Sequence, residues 1–300
     1  MRTFLLVLFL VLFPLSVRAN NVILMIGDGM GANHLKCAAK DKPLFLTTLP
    51  IKGHVRTRSA DAEITDSAAS ATAYSCGKRT NNYFLGKLPD GKNCLTIAEK
   101  AVQKGYAVGI YSNDESTGAT PSAFYAHTTS RHDRETIQAD REKASQVMDI
   151  ALSVEKISEE VPTRLQKLLH QDGSKGFFAM FEGAKIDKKS HDNDYEGMKE
   201  ELRDFDRAVR LAKKFVRQNP NTTLIVLADH ETGGLTDECQ YTTRQHTGQD
   251  IPLYADGKYA HLFQGDQDNT EIYTKIRRIL FPKRRSSSSK KINDFSVERF

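Results

Sequence analysis

The chain has 300 residues, 27% of them charged and 39% hydrophobic, which is room for one large α/β domain or two small ones. Its formal charge of +5 is misleading, because residues 1–19 contribute +2 and residues 283–300 contribute +4, leaving a body at −1. That balance gives no indication of a basic nucleic-acid-binding patch on the folded part, and none is expected.

The first predicted element is an export signal over residues 1–19. Met1-Arg2-Thr3 is a short basic start, Phe4 to Leu15 is almost wholly apolar, and Val17-Arg18-Ala19 sets small residues where a signal peptidase reads. The run is short for a transmembrane helix. The expected product begins at Asn20 and is secreted or periplasmic, an uncleaved anchor being the alternative. Export puts Cys37, Cys76, Cys94 and Cys239 in an oxidising compartment with all three pairings open. Cys76, which closes an apolar helix, is expected as a buried free thiol.

Val22–Ile26 is the first apolar run of strand length, and it ends in Gly27-Asp28-Gly29-Met30-Gly31. Asp66-Ser67-Ala68 comes next, with Asp66 as a natural N-cap and small residues from Ala68 onward favouring a helix. The Ser67 hydroxyl then sits at a helix N-terminus, where free N–H groups and the dipole favour an anion. Capping alone accounts for such a serine; a nucleophile facing phosphate is the other reading. Leu95–Lys104 is an amphipathic helix bounded by Gly105, and Tyr106–Tyr111 is a second strand. Phe177–Phe181 is a third and runs into Glu182, then Asp187, with His191 four residues later. Met198–Arg217 reads as a long helix ended by Asn219-Pro220, and Leu224–Ala228 as a fourth strand delivering Asp229-His230. His246-Thr247-Gly248 adds an imidazole. Residues 283–300 read as a disordered basic tail around Ser286 to Ser289, leaving 20–282 as the folded domain.

Strands alternating with helices predict a three-layer α/β/α sandwich with a large, mostly parallel central sheet. Sites in such sheets form at the carboxyl ends of the strands. Taken singly, Gly-Asp-Gly is a turn, Asp-His a satisfied loop pair, and an Asp and His four apart on a helix a surface contact. Several independent strand ends converging with acids and imidazoles are harder to explain that way. Asp28, Glu182, Asp187, His191, Asp229, His230 and His246 are too many for one four-coordinate ion. Mixed oxygen and nitrogen ligands suit zinc, an all-oxygen set suits magnesium, and neighbouring ions can clamp a phosphoryl group.

With these features on hand, the chain resembles the alkaline phosphatase family. The matching stretches are Asn21–Gly31, Thr65–Tyr74, Ala119–Arg131, Glu182–His191, Ala228–His230 and His246–Gly248, in the family's order. The resemblance implies Ser67 as a nucleophile that becomes phosphorylated, Arg131 as a phosphate clamp, and Asp66 as its orienting partner. It implies two zinc ions, one held by Asp187, His191 and His246 and the other by Asp229 and His230. Asp28 would bridge towards one magnesium ion completed by Glu182 and Thr120. Small phosphate monoesters are the implied substrates. Gly118 departs from the Asp or His usual near the magnesium, and Lys188 agrees with a bacterial-type pattern in which it contacts phosphate through water. His127 and His34 are read as structural. Only fifteen residues separate His230 from His246, where larger relatives insert a crown subdomain, so the family's homodimer is left open. The C-terminus lacks the hydrophobic tail of a lipid anchor, so no membrane anchor is expected. A phosphodiesterase or sulfatase of the superfamily is the competing enzyme reading, although Ser67-Ala68-Ala69-Ser70-Ala71 lacks the sulfatase pattern. A non-catalytic phosphate- or metal-binding relative is the competing binding reading.

Overall fold

The computed structural model describes residues 19–282; the predicted export signal over 1–19, apart from Ala19, and the predicted tail over 283–300 lie outside the described residues. The strands are β1 (Asn21–Gly27), β2 (Ile51–Arg56), β3 (Ala107–Ser112), β4 (Asp149–Ile150), β5 (Phe177–Gly183), β6 (Thr222–Leu227), β7 (Glu231–Thr232), β8 (His246–Thr247), β9 (Ile251–Gly257) and β10 (Gly265–Asp268). The helices are α1 (Ala32–Ala38), α2 (Ser67–Cys76), α3 (Ile97–Gln103), α4 (Ala119–Ser122), α5 (Arg134–Ala144), α6 (Ile157–Leu169), α7 (Lys185–His191), α8 (Tyr195–Gln218) and α9 (Asn269–Leu280).

Eight strands form one sheet in the order β10-β2-β9-β6-β1-β5-β3-β4. The four predicted apolar runs are its centre: β1, β3, β5 and β6 are buried at every residue and pair in parallel. Fully buried parallel strands need no polar face, which is why they read as unbroken apolar runs. One layer of helices is α1, α6, α7 and α8; the other is α2, α3, α4 and α9, giving the expected α/β/α sandwich. In α8 the buried residues Met198, Leu202, Phe205, Val209, Ala212 and Val216 recur at helical spacing, and the Asp194 side chain caps its start. Thr96 and Glu99 form a reciprocal capping box on α3.

The far edge of the sheet was not anticipated. There β9 runs antiparallel to both β6 and β2. β2 exposes Lys52, His54 and Arg56 while burying Gly53 and Val55, so it alternates rather than running apolar. β9 carries Pro252 and Asp256, both poor strand formers, and is held by its two neighbours.

The cysteine expectation is corrected. Cys76 is not a free thiol: it bonds to Cys94, and Cys37 bonds to Cys239. Helix α2 ends at Gly77 in the left-handed conformation (φ 72°). Farther on, the chain reverses over residues 88–92 so that the Cys94 N–H reaches the Gly86 carbonyl, while the Gly86 N–H donates to Thr72 Oγ1 of α2. The reversal brings Cys94 beside Cys76 and closes the segment between them.

Candidate active site and metal centre

Helix α2 is buried all round, which its run of Ala, Ser and Thr permits because small side chains allow close approach. Its polar groups fasten it to the end of β6. Ser70 Oγ donates to the Asp229 carbonyl at 2.7 Å and Tyr74 Oη to the Ala228 carbonyl at 2.7 Å. At the N-terminus the Asp66 carboxylate accepts from the Ala69 N–H at 2.9 Å, a cap contributing about 1 kcal/mol. Its other oxygen accepts from Arg131 Nη1 at 3.1 Å and from the Tyr83 N–H at 3.2 Å. Asp66 therefore starts the helix and aims Arg131 at once. Ser67 Oγ, buried, lies 3.1 Å from His230 Nε2.

The carboxyl ends of β1, β5 and β6 deliver Asp28, Glu182, and Asp229 with His230 to this same place, all buried. His230 Nε2 is 3.4 Å from Asp28 Oδ1 and 3.3 Å from Asp229 Oδ2. Asp187 and His191 share one face of α7, 3.3 Å apart. His246 arrives on the two-stranded ribbon β7–β8, where Thr232 pairs with His246, and its ring stacks on His230 at 3.6 Å. Two ligand-competent groups result among the described residues: Asp187, His230 and His246, and Asp28, Asp229 and His230. They share His230. Gly29 makes the crowding possible, because its φ is +70° and a Cβ there would lie 2.8 Å from Thr232 Oγ1 and 2.9 Å from Asp187 Oδ1.

The donors fit divalent cations. Asp28 Oδ1, Asp229 Oδ2 and Thr120 Oγ1 are buried without a hydrogen-bond partner, where an orphaned polar atom is costly. His191 Nδ1 faces the Arg244 carbonyl and His246 Nδ1 the Thr65 carbonyl, so both donate outward and leave Nε2 as the inward ligand atom. Electrostatics agree. Burial, and then Asp229, Asp187 and Glu182, push Asp28 well above the usual carboxylate range. Burial above all lifts Glu182 and Asp229 to about 7. Burial would also raise Asp187, but its hydrogen bond from His191 and the charge of His230 hold it well below the usual range. That same hydrogen bond lifts His191 to about 9, while burial lowers His230 and His246. Crowded acids of this kind are what a bound cation stabilises.

Several supporting residues were not singled out from the sequence. Thr232 Oγ1 donates to Asp187 Oδ1 at 2.5 Å and lies 3.2 Å from His230 Nδ1, tying the two ligand groups together. Glu231, next to His230, accepts from the Gly234 and Leu235 N–H groups and from Thr247, fastening the ribbon that carries His246. His34, read as structural, is fully buried; Nδ1 accepts from the Gly31 N–H and Nε2 faces Ser190 Oγ at 3.0 Å. His127 is likewise structural, bonded to Glu99 and the Gly86 carbonyl. Lys188 Nζ pairs with Asp114 Oδ2 at 2.6 Å. Gly118 caps α4, and a Cβ there would lie 3.0 Å from the Glu115 carbonyl. A separate charged cavity of about 730 Å³ contains none of the candidate site residues.

The sequence profile of the family described as "Alkaline phosphatase" matches residues 19–161 and 156–243. The chain belongs to the alkaline phosphatase family. It is 32% identical to the alkaline phosphatase of Schizosaccharomyces pombe, over 72% of this chain and 56% of that protein. It is 30% identical to alkaline phosphatase 4 of Bacillus subtilis, over 72% of this chain and 62% of that protein. The chain thus spans 56–62% of the length of these curated relatives. Among solved structures, the alkaline phosphatase from the Antarctic bacterium TAB5 superposes with a TM-score of 0.80 at 27% identity, covering 88% of this chain and 98% of that one. This family member therefore has an alkaline phosphatase-like fold over nearly all its described residues.

Proposed function

We propose that the chain hydrolyses phosphate monoesters through a phosphoserine formed on Ser67. The observation that carries the reading is the contact of Ser67 Oγ with His230 Nε2 at 3.1 Å, at the capped N-terminus of α2, because His230 belongs to both ligand-competent groups. A serine placed there meets both an anion-favouring helix end and a cation site.

Asp187, His191 and His246 would hold one zinc ion, and Asp229 and His230 a second. Asp28, Thr120 and Glu182 would hold magnesium, with Asp28 shared. When bound, the cations supply Lewis-acid neutralisation of charge on the attacking and departing oxygens. Arg131, steered by Asp66, holds two phosphoryl oxygens in its planar fork. The free N–H groups at the start of α2 add stabilisation on the same side. Ser67 Oγ forms a bond to phosphorus as the bond to the alcohol oxygen breaks, and the alcohol departs with a proton. Water then displaces Ser67 from phosphorus, releasing inorganic phosphate and returning a proton to Oγ. Recognition centres on the phosphoryl group, so Ser67, Arg131 and Asp66 serve many monoesters alike.

Two disulfides fit an oxidising compartment, and we read the protein as secreted or periplasmic. No helix among the described residues is long and apolar enough to cross a membrane. The test is turnover of a phosphate monoester, a diester and a sulfate ester, with and without chelator and then with zinc and magnesium restored. Fastest turnover of the monoester, lost on chelation and regained with both metals, supports the reading. A faster diester or sulfate reaction, or metal-independent turnover, overturns it.

A further inference from the structure

Tyr83 holds a backbone conformation that its side chain disfavours. Its φ is +71°, in the left-handed region that suits Gly, Asn or Asp. Such a residue persists only where its surroundings over-determine it, and strain of this kind gathers at functional sites. Both ends of its peptide are held by the phosphate clamp: the N–H donates to Asp66 Oδ2 at 3.2 Å, and the carbonyl accepts from the Arg131 N–H at 2.7 Å. The preceding Asn82 accepts from the Asp66 N–H at 3.0 Å. The Cys76–Cys94 disulfide closes the segment that carries both residues.

The ring is not used to fill the core. Tyr83 is 53% exposed, and its ring pairs with that of His132 at 5.8 Å between centroids, tilted by 42°. His132 directly follows Arg131 and is itself exposed. Two exposed aromatic rings thus stand at the residue hydrogen-bonded to the clamp and at the residue next to it. Ile64, 46% exposed, joins the same loop network through its carbonyl, which accepts from Asn82 Nδ2.

We propose that Tyr83 and His132 form an aromatic rim that receives the planar leaving group of the phosphate ester. The chain then favours monoesters of aryl alcohols or nucleosides over those of aliphatic alcohols. The inference rests on the phosphomonoesterase reading and names the substrate class of that same site. The physical basis is stacking, since every aryl ring and every base offers a π-face. Stacking of one base on an aromatic side chain corresponds to roughly 5- to 150-fold in affinity.

The experiment uses the metal-loaded full chain. Binding of phenyl phosphate, adenosine 5′-monophosphate and glycerol 1-phosphate is measured by calorimetry on Ser67→Ala, alone and combined with Tyr83→Asn, Tyr83→Phe or His132→Ala. Asn tolerates the left-handed conformation, so Tyr83→Asn removes the ring while leaving the peptide in place. His132→Ala leaves the Tyr83 backbone untouched and guards against misfolding of the first variant. The proposal predicts tighter binding of at least one aromatic ester than of glycerol 1-phosphate. That preference falls in Tyr83→Asn and His132→Ala and persists in Tyr83→Phe. A response to phenyl phosphate places the rim beside the phosphoryl oxygen, and a response to the nucleotide alone places it a ribose away. Equal binding of all three esters, or a preference untouched by both Tyr83→Asn and His132→Ala, overturns the proposal. Failure of the protein with Ser67 intact to hydrolyse glycerol 1-phosphate would instead count against the phosphomonoesterase reading, and the binding ratios would still decide the rim.

Discussion

His191 Nε2 and His246 Nε2 lie 3.1 Å apart, while the other nitrogen of each ring faces a backbone carbonyl. A carbonyl only accepts, so both Nδ1 atoms carry protons and the two Nε2 atoms need something positive between them. Without metal that is a proton on His191, which Asp187 holds up to about 9. A zinc ion bound there, as proposed, would have to displace it. Zinc affinity therefore rises with pH up to about 9, roughly tenfold per pH unit for one released proton. The slope is steeper below about 7, where Asp229, the proposed ligand of the second zinc, also binds a proton. Calorimetry in buffers of different ionisation enthalpy measures the release; binding that is flat between pH 6 and 9 would refute it.

The Thr232 hydroxyl is the tie between Asp187 and His230. Thr232→Val keeps the shape and removes the tie. Metal affinity should fall roughly 10- to 100-fold, as for other groups that orient ligands, with little change in secondary structure. Competition against a chelator of known affinity checks this, and an unchanged zinc Kd would show that Thr232 only fills space.

Asp66 uses its two oxygens differently, Oδ1 for the Ala69 N–H and Oδ2 for Arg131 and the Tyr83 N–H. Asp66→Asn can keep the cap but turns a donor towards two donors. Its stability loss should stay near or below about 1 kcal/mol, while KM for a phosphate ester rises about tenfold through a misaimed Arg131. Asp66→Ala should lose both. Equal KM values in the two variants and the parent would separate Arg131 from Asp66.

Away from the site, His127 Nε2 lies 2.9 Å from Glu99 Oε1. Burial lowers the imidazole, but its hydrogen bonds to Glu99 and the Gly86 carbonyl more than reverse this, leaving it above 6.5. Its contribution to stability is therefore complete below about 6.5 and lost as pH rises through the raised folded value. Glu99, raised by burial but lowered further by His127 and the Thr96 N–H, sits below 4.5. Its contribution is present above about 4.5 and lost as pH falls through the lowered value. Urea midpoints of the parent and of His127→Gln should converge as pH rises through the raised value of His127. A gap that widens with pH would contradict the assignment.

Burial decides how much of the fold was legible in the sequence. β1, β3, β5 and β6 are covered on both faces, so their runs are continuous. Three of them, β1, β5 and β6, carry Asp28, Glu182 and Asp229 at their carboxyl ends, where a site is expected. Asp66 was legible because capping is a local rule. Thr232, Glu231 and Tyr83 were not, because their roles depend on partners far along the chain, such as Asp187, Thr247 and Arg131. The disulfide partner of Cys76 depends on a chain reversal between Gly86 and Cys94 that no periodicity announces. β2 and β9 were hidden by exposed charges and a proline on strands held by their neighbours.

The central claim is that Ser67 carries the phosphoryl group. Brief reaction of the zinc- and magnesium-loaded protein with a phosphate monoester, quenched in acid and mapped by peptide mass, should place the phosphate on Ser67. Ser67→Ala should lose about 10³-fold or more in turnover while binding the same amount of zinc. Label on another residue, or turnover by Ser67→Ala equal to the parent's, would contradict the account.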